Sequence, residues 1–429
     1  MVYLNFSPVK NDFIRLNVLV LFCACFRWIF FAIGNFQNST AKLTKFGQLM
    51  VPRTRLKLRK NTDFIVIIGM HGKHKKNRRK HFILSYYFIP DFSMFVCLAD
   101  LKKATMMQKL AVVALGGNAL LRDTETGTIE EQEHNTTETL ENLVHLINDG
   151  YNLVITHGNG PQVGNILMRN DAGETLYNIS PMPLDICVAD SQGGIGYMIE
   201  RMMRNVLNKH GIDKNILSVI SMVTIDPKDE AFQNPTKRIG KTYNEADANL
   251  LHDRKGWQFK PSLKHQGAWR RVVPSPTPID ILNKGIIGHM VREGNIVITA
   301  GGGGIPVYLD EEKNVRTVDA VIDKDMTSAL LASSIQADEF FILTDVPFIY
   351  KDFGLPSQEK LEFLDYADTL RHLHAGTFGE GSMAPKIRAC LNFIENGGQK
   401  SVITEATKLE DKSYGSKITM YYDNQKLAE

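Results

Sequence analysis

Residues 111–120 read AVVALGGNAL, in which five apolar residues, mostly small or β-branched, lead directly into Gly116, Gly117 and Asn118. An apolar run without polar alternation is typical of a strand that is buried on both faces of a sheet. Glycines after such a strand allow the backbone to approach a bound group closely. We therefore expect a buried strand at Leu110–Leu115 that ends at a binding site.

Further apolar runs repeat this pattern along the chain. They occupy residues 153–156, 216–223, 296–299, 340–344 and 401–404. Segments with a helical period lie between several of them, at residues 136–148, 193–209 and 325–334. Strands that alternate with helices predict parallel pairing, right-handed crossovers and helices on both faces of one sheet.

Three of the predicted strands end in glycine-rich turns. The turns are GG at residues 116–117, HGNGPQVG at residues 157–164 and AGGGGIP at residues 300–306. In open α/β sheets, ligands lie at the carboxyl ends of the strands, and glycine lets backbone N–H groups point at phosphate oxygens. The sequence has neither a Walker motif nor a Gly-x-Gly-x-x-Gly frame that opens a helix. The pattern favours an anion cradle of another kind.

Such a cradle must take its positive charge from lysines elsewhere, and three are candidates. Lys237 lies in NPTKRIGKTY, Lys324 lies between Asp323 and Asp325, and Lys386 lies in GSMAPKIRAC. Phosphoryl transfer depends on positioning and charge neutralisation, which lysines held by an aspartate would supply. Each lysine also has a simpler interpretation: a loop charge for Lys237, a surface pair with Asp325 for Lys324, and a helix start for Lys386.

The first 105 residues differ in charge from the remainder. They carry 18 Lys and Arg against 4 Asp and Glu, a net charge of +14, whereas the remainder carries 32 against 43, a net charge of −11. With 43% hydrophobic and 23% charged residues overall, most of the chain has the composition of a soluble globular protein. Two kinds of polypeptide are therefore joined in one sequence.

The basic segment contains an apolar run at residues 18–33, which is interrupted by Arg27. A membrane span needs about 20 apolar residues, so membrane contact through this run is the less favoured interpretation. Lys10 and Arg15 precede the run as they would in a signal peptide, but no clear cleavage site follows.

Basic clusters at residues 51–60 and 73–80 suit a solvated tail better than a nucleic-acid site, because no base-stacking aromatic pattern accompanies them. We expect residues 1–105 to be an appended leader, a tail or a mis-annotated start. The working domain is then expected at residues 107–429, beginning at Met107.

The cysteines show neither metal-ligand spacing nor an even framework; they are Cys23, Cys25, Cys97, Cys187 and Cys390. This pattern favours free thiols in a reducing compartment, and so a cytoplasmic location.

Nine segments in a fixed order resemble carbamate kinase, within the amino-acid-kinase superfamily. They are VALGGNAL, THGNGPQVG, MPLDICVADSQGGIGYMI, DPKDEAFQNPTKRIG, WRRVVPSPTP, AGGGGIPV, VDAVIDKDMTSALLA, ILTDV and AGTFGEGSMAPKIRA. GGNA and GNGPQVG are shared with related acid kinases, whereas NPTK-x-IG together with DAVIDKD is specific to carbamate kinase. The resemblance extends from Leu110 to about Thr404.

The resemblance implies an αβα sandwich around an open, mainly parallel eight-stranded sheet, with a small protruding subdomain at about residues 228–268. It also implies a homodimer. The implied reaction is reversible phosphoryl transfer between ATP and carbamate with Mg²⁺. In the catabolic direction, as in arginine fermentation, carbamoyl phosphate and ADP give ATP, carbon dioxide and ammonia.

The same resemblance implies the site residues. The implied catalytic residues are Lys237, Lys324, Asp325 and Lys386. The implied substrate-binding residues are Gly116, Gly117, Asn118, Gly158, Asn159 and Gly160. The implied nucleotide-binding residues are Gly302, Gly303, Thr344, Asp345, Ser382 and Met383. No side chain need bind Mg²⁺ directly, since triphosphate oxygens and water can supply its shell.

The sequence departs from the family pattern at Arg238, where the family usually has proline. Arg238 would either loosen the loop that carries Lys237 or place a second cation beside carbamoyl phosphate. Two other functions stay open. A related kinase could phosphorylate a different acid, and a silent relative could bind nucleotide only, although it would not need all four implied catalytic residues. A third option, a scaffold tethered to a membrane through residues 1–105, is compatible with an active kinase domain.

Overall fold

The computed structural model describes residues 2–4, 46–51, 54–59, 82–84, 108–122, 125–262, 265–379 and 383–421. The chain divides into two compact units, Met1–Met106 and Met107–Glu429. In the first unit, β1 (Val2–Leu4) pairs with β4 (Phe82–Leu84), and β2 (Phe46–Val51) pairs with β3 (Thr54–Arg59), both antiparallel. The interpretations of residues 18–33 and 73–80 concern segments outside the described residues.

The second unit alternates strands and helices. Its strands are β5 (Leu110–Leu115), β6 (Asn152–His157), β7 (Ile216–Val219), β8 (Met222–Thr224), β9 (Lys237–Tyr243), β10 (Gln258–Pro261), β11 (Trp269–Val273), β12 (Asp280–Ile281), β13 (Ile296–Thr299), β14 (Ile305–Leu309), β15 (Val315–Thr317), β16 (Glu339–Thr344), β17 (Ile349–Lys351), β18 (Glu359–Leu361), β19 (Phe363–Asp365), β20 (Lys400–Glu405) and β21 (Ser416–Thr419).

Its helices are α1 (Ile129–Glu141), α2 (Val144–Asn148), α3 (Gly160–Tyr177), α4 (Leu184–Lys209), α5 (Glu245–Lys255), α6 (Lys284–Arg292), α7 (Lys324–Ser334), α8 (Tyr366–His374) and α9 (Met383–Glu395). Short 3-10 turns lie at Gly117–Ala119, Glu230–Phe232, Gly301–Gly303 and Ala406–Lys408.

The main sheet has eight strands in the order β19-β21-β20-β16-β5-β6-β13-β7. The six strands from β20 to β7 are mutually parallel, and β21 runs antiparallel to β20. The prediction of an open, mainly parallel eight-stranded sheet is confirmed. Parallel strands need crossovers, and helices supply them here.

Two hydrophobic cores lie on opposite faces of this sheet, because successive residues of β5 alternate between them. Ala111, Val113 and Leu115 belong to the core that includes buried residues of α1, α2 and α4. Val112 and Ala114 belong to the core that includes buried residues of α6, α7 and α9. The fold is therefore an αβα sandwich, and the continuous apolar run of β5 reflects burial on both sides.

A separate small sheet follows the order β10-β11-β9, with α5 between β9 and β10. It covers residues 237–273 and overlaps the subdomain expected at residues 228–268. A β-bulge interrupts the pairing of β9 with β11: Arg271 pairs with Ile239 and Arg270 with Thr242, so Gly240 and Lys241 are extra residues on β9. The domain boundaries themselves stay a prediction.

Three sequence expectations differ from the observed elements. The run at residues 216–223 forms two strands, since β7 joins the main sheet and β8 joins a four-stranded sheet with β12, β14 and β15. The helix expected at residues 136–148 forms as α1 and α2, and α1 begins earlier because Thr128 and Glu131 make a capping box. The helix expected from residue 193 starts at Leu184.

Among the described residues, no helix is both long enough and apolar enough to cross a membrane.

Candidate active site

The glycine turns meet at one edge of the main sheet. Leu115 at the end of β5 is in register with His157 of β6 and with Leu343 of β16. The Leu115 carbonyl accepts hydrogen bonds from the Gly158 amide and from the Lys324 ammonium, both at 3.2 Å. One backbone oxygen therefore joins a strand end, a glycine turn and a candidate catalytic lysine.

Lys324, Asp325 and Lys386 form a buried trio at this edge. The Lys324 Nζ lies 2.8 Å from Asp325 Oδ1, and the Lys386 Nζ lies 2.9 Å from Asp325 Oδ2. The lysine side chains are only 14% and 18% exposed, and the Asp325 side chain is 6% exposed. Helices α7 and α9 carry these residues, so the structure brings together three of the four predicted catalytic residues.

The charges of the trio depend on one another. Burial alone would raise the pKa of Asp325, but Lys324 and Lys386 outweigh burial and hold this pKa well below its ordinary value. Burial lowers the pKa of Lys324 although Asp325 opposes the shift. Burial would lower the pKa of Lys386, but nearby carboxylates, Asp325 foremost, together outweigh burial, and the pKa is raised. Asp325 is consequently ionised at neutral pH. Its negative charge stabilises the buried ammonium groups of Lys324 and Lys386.

Lys237, the fourth predicted catalytic residue, reaches the same edge from the small sheet. Its Nζ donates to Asp323 Oδ2 at 3.0 Å, and the two side chains are 36% and 28% exposed. Asp323 is the N-cap residue of α7, whose first two residues are Lys324 and Asp325. Lys237 is therefore not an isolated loop charge, because it is paired beside the trio.

The strand that carries Lys237 rests on α3 through two glycines. A Cβ on Gly164 would lie 3.2 Å from the Cα of Gly240, so the backbones approach closely here. Gly240 has a φ of +68°, and its carbonyl accepts a hydrogen bond from Arg270 at 2.9 Å. Bulges of this kind redirect a strand next to active sites.

Arg238 faces away from Lys237, because successive strand residues point to opposite sides. Its Nε donates to the Pro261 carbonyl at 3.2 Å, within the small sheet. Arg238 is also paired with Val272 in the ladder of β9 and β11. Arg238 therefore lies in a paired strand and its side chain bonds within the small sheet. Its effects on the mobility of Lys237 and on carbamoyl phosphate stay predictions.

The first glycine turn divides into a packed and an open part. The Gly116 amide donates to the Leu343 carbonyl at 2.8 Å, and a Cβ on Gly116 would lie 2.5 Å from that oxygen. This N–H is thus already paired in the sheet, and packing requires glycine there. Gly117 is exposed, and a Cβ added to it would have nothing within 4 Å. The Asn118 backbone lies in the 3-10 turn, and its side chain is outside the described part.

The second turn also contains both buried and exposed residues. Gly158 is half-buried, and Gly160 is exposed at the start of α3. The Asn159 side chain is buried and donates to Ser191 Oγ at 2.9 Å. His157 is buried next to it, and burial lowers the pKa of its imidazole to about 4, so the ring is neutral at physiological pH.

The third turn packs on the second. A Cβ on Gly302 would lie 2.1 Å from the Asn159 amide nitrogen, and a Cβ on Gly303 would lie 2.5 Å from the Ile322 carbonyl oxygen. Both glycines are buried, and Gly303 accepts a hydrogen bond from Thr327 at 2.9 Å through its carbonyl. Close backbone packing by itself requires these glycines, and their predicted contact with nucleotide stays a prediction.

The remaining predicted nucleotide residues follow β16 and open α9. Thr344 ends β16, and its hydroxyl donates to Asp345 Oδ1 at 3.0 Å. Asp345 is one of the charges that raise the pKa of Lys386, after Asp325 and Asp323. Met383 is half-buried at the first position of α9, and Ser382 lies outside the described residues.

Two residues of the site had no predicted role. Asp323 precedes a helical run, and an acidic residue in that position is a recognisable N-cap signal. His157 directly follows a predicted strand, but its burial under the third turn depends on packing between segments that are distant in sequence. A Cβ on Gly301 would lie 2.3 Å from the His157 ring.

Comparison with known proteins fits this arrangement. The family model "Amino acid kinase family" matches residues 109–405. Carbamate kinase from Pyrococcus horikoshii is 42% identical over 317 residues, which cover 73% of this chain and 100% of that protein. The chain belongs to the carbamate kinase family. Carbamate kinase 1 from Enterococcus faecium is 43% identical and covers 71% of this chain and 95% of its own length.

Solved carbamate kinase structures have the same fold. Carbamate kinase from Giardia lamblia bound to AMP-PNP is 37% identical, with a TM-score of 0.68 over 73% of this chain and 98% of that one. The same enzyme bound to citric acid gives a TM-score of 0.67 with the same coverage. The amino-acid-kinase fold and the identity as a phosphotransferase of this family are thus both confirmed for the second unit.

Proposed function

We propose that the chain catalyses reversible phosphoryl transfer between ATP and carbamate. The observation that carries this proposal is the buried trio of Lys324, Asp325 and Lys386 at the edge where the glycine turns meet. Phosphoryl transfer spreads negative charge over the migrating group, and preorganised cations in a site with little water stabilise that charge strongly. Membership of the carbamate kinase family supports carbamate as the acceptor.

Lys324 and Lys386 neutralise the transferring phosphoryl group in this mechanism. Asp325 holds both ammonium groups in place before substrate arrives, so little reorganisation is needed during the reaction. Lys237 adds a third cation from the small sheet and contacts carbamoyl phosphate. Its greater exposure suits a cation that moves towards the transferring group as the small sheet closes over the site.

The exposed backbone of the glycine turns binds the anionic groups. Gly117, Asn118 and Gly160 are the residues whose backbone would face the phosphoryl group and carbamate, with Gly116, Gly158 and Asn159 packed behind them. The start of α3 favours anions, because its first N–H groups have no partner within the helix. Thr344, Asp345, Ser382 and Met383 are assigned to the base and ribose of the nucleotide, and Gly302 and Gly303 are also assigned to nucleotide binding.

Mg²⁺ is expected to accompany the nucleotide. No group of three or more His, Cys, Asp or Glu side chains suited to a metal occurs among the described residues. A lysine-rich site suits an ion that is held by the nucleotide's phosphate oxygens and by water, and Mg²⁺ would supply further charge neutralisation there.

We also propose a cytoplasmic homodimer that works in arginine catabolism, in the direction of ATP formation. Exposed apolar side chains at the end of α3 and the start of α4 support the dimer; they are Leu176, Tyr177, Ile179, Met182 and Ile186. Several large apolar side chains exposed within one short stretch of the chain favour a protein contact. Sedimentation analysis should give twice the chain mass, and Tyr177→Asp with Ile179→Asp should shift it to the single-chain mass.

The deciding experiment measures ATP formation from ADP, Mg²⁺ and carbamoyl phosphate by the full chain. We expect activity that Lys324→Ala lowers by roughly 10²- to 10³-fold. A folded, inactive wild type would contradict the proposal and indicate a different acid acceptor or a silent relative, which acetylglutamate phosphorylation and nucleotide binding would separate. A chain that starts at Met107 tests the leader: full activity there would make residues 1–105 an accessory.

A further inference from the structure

Asp323 has two contacts that belong to different parts of the site. Its Oδ1 accepts hydrogen bonds from the Asp325 and Met326 amides, at 2.9 and 3.3 Å, and so caps α7. Its Oδ2 accepts the hydrogen bond from the Lys237 ammonium at 3.0 Å. One carboxylate therefore connects the helix that carries Lys324 and Asp325 to the strand that carries Lys237.

We propose that Asp323 is a positioning residue that sets where the Lys237 ammonium lies during phosphoryl transfer. This inference rests on the proposed function and assigns a further residue to that same site. Asp323 acts through Lys237 and is not itself expected to touch the substrate.

The cap makes Asp323 a rigid reference point. Two backbone amides hold one carboxylate oxygen, so the other oxygen has a defined direction relative to α7. Lys237, in contrast, has a flexible four-carbon stem and would sample many positions without a partner. An ammonium has three N–H donors, so one bond to Asp323 leaves two for an anionic substrate.

The charges around this pair favour a role in turnover over a role in binding. Asp323, Asp325, Lys237, Lys324 and Lys386 together have three positive and two negative charges when all are ionised. An approaching anion meets a net positive group, and the Asp323 charge alone would repel it. Loss of that charge is therefore not expected to weaken ground-state binding, whereas a displaced Lys237 would slow the transfer.

Asp323→Asn separates the two contacts, because asparagine is as good an N-cap as aspartate but has no charge to hold an ammonium. We expect kcat for ATP formation to fall by roughly 10- to 100-fold, as for a misplaced catalytic group. The KM for carbamoyl phosphate should not rise. Asp365→Asn is the matched control: Asp365 caps α8 by accepting from the Asp368 amide at 2.7 Å, and kcat should be unchanged there.

A second arm tests whether Asp323 acts through Lys237. In a Lys237→Ala background, Asp323→Asn should cause no further fall in kcat. An equal fall in both backgrounds, or an unchanged kcat in the single variant, would overturn the inference. A raised KM with unchanged kcat would do the same, since that pattern indicates a disturbed binding surface.

A third measurement does not depend on catalytic activity, so its failure can be told apart from a failure of the proposed function. Competitive acetylation, quantified by mass spectrometry, should modify Lys237 more in Asp323→Asn than in wild type, with Lys241 of the same strand as internal reference. Unchanged Lys237 modification would overturn the pairing even in an active enzyme. An inactive wild type with the expected acetylation pattern would instead overturn the proposed reaction and leave the Asp323–Lys237 pairing supported.

Discussion

The site contains two lysine–aspartate arrangements that use the same chemistry in different surroundings. In the buried trio, one carboxylate holds two lysines that are each less than one-fifth exposed. In the pair of Lys237 and Asp323, both side chains are about one-third exposed. Lys237 belongs to β9 of the small sheet, and Asp323 is the N-cap residue of α7. The trio is carried by helices packed into a core, whereas the pair spans a contact between the small sheet and α7.

This difference indicates a division of roles. A buried charge that loses its partner is costly, so the trio has one stable arrangement and suits stabilisation of a transition state. A partly exposed ion pair contributes little to stability. The pair therefore suits a contact that positions the Lys237 ammonium, and its loss should cost turnover more than stability.

The largest expected effect concerns Asp325. Asp325→Asn leaves two buried lysines without a carboxylate, and we expect the free energy of unfolding to fall by about 3–5 kcal/mol. Asp323→Asn, which keeps its cap, should lower it by less than about 1 kcal/mol. Urea unfolding of both variants measures the difference, and similar losses would remove the distinction between trio and pair.

The next effect concerns turnover. Lys324→Ala should lower kcat by roughly 10²- to 10³-fold, because it removes a preorganised cation. Lys237→Ala should chiefly lower the rate at which the enzyme uses carbamoyl phosphate. Lys284→Ala, which removes a half-buried lysine 2.6 Å from Asp280, is the control that should retain activity. A circular-dichroism melt in which Lys324→Ala is unfolded would count against its catalytic role.

A smaller effect on the free energy of unfolding is expected when the pH is lowered. The folded pKa of Asp325 lies below its ordinary value of 3.8, so its contribution to stability is present above that pH and is lost as the pH falls below it. The stability difference between wild type and Asp325→Asn should shrink by about 1 kcal/mol per pH unit below pH 3.8. Urea midpoints at about pH 5 and about pH 3, on either side of the ordinary aspartate pKa, test this. A constant difference would mean that the lysines do not hold the carboxylate in its charged form.

The smallest expected effect on kcat concerns the contact of α3 with β9, the strand that carries Lys237. Gly164→Ala would press a methyl group against Gly240 and shift β9, and we expect kcat to fall several-fold, since small displacements of a positioning group slow catalysis. The control is Gly173→Ala in the same helix, where the Cβ meets only the Ile179 side chain at 3.7 Å. The kcat of Gly164→Ala should be lower than that of Gly173→Ala. Equal kcat values would indicate that β9 adapts without moving Lys237.

Much of the main sheet could be predicted from the sequence. The runs at β5 and β13 match the observed strands because strands buried on both faces are continuously apolar. The split of residues 216–223 could not be predicted, since an apolar run does not reveal that its two halves pair in different sheets. The early start of α4 was missed, although Leu184, Cys187 and Val188 are buried at helical spacing.

The sequence by itself determined the fold class and the strand-end position of the glycine turns, and it predicted the candidate lysines, since these depend on short motifs and local periodicity. Only the tertiary structure decided which carboxylate holds which lysine. Lys386 meets Asp325 across 61 positions of the chain, and Lys237 meets Asp323 across 86. Such contacts depend on how helices and sheets pack together, and no local pattern in the sequence encodes them.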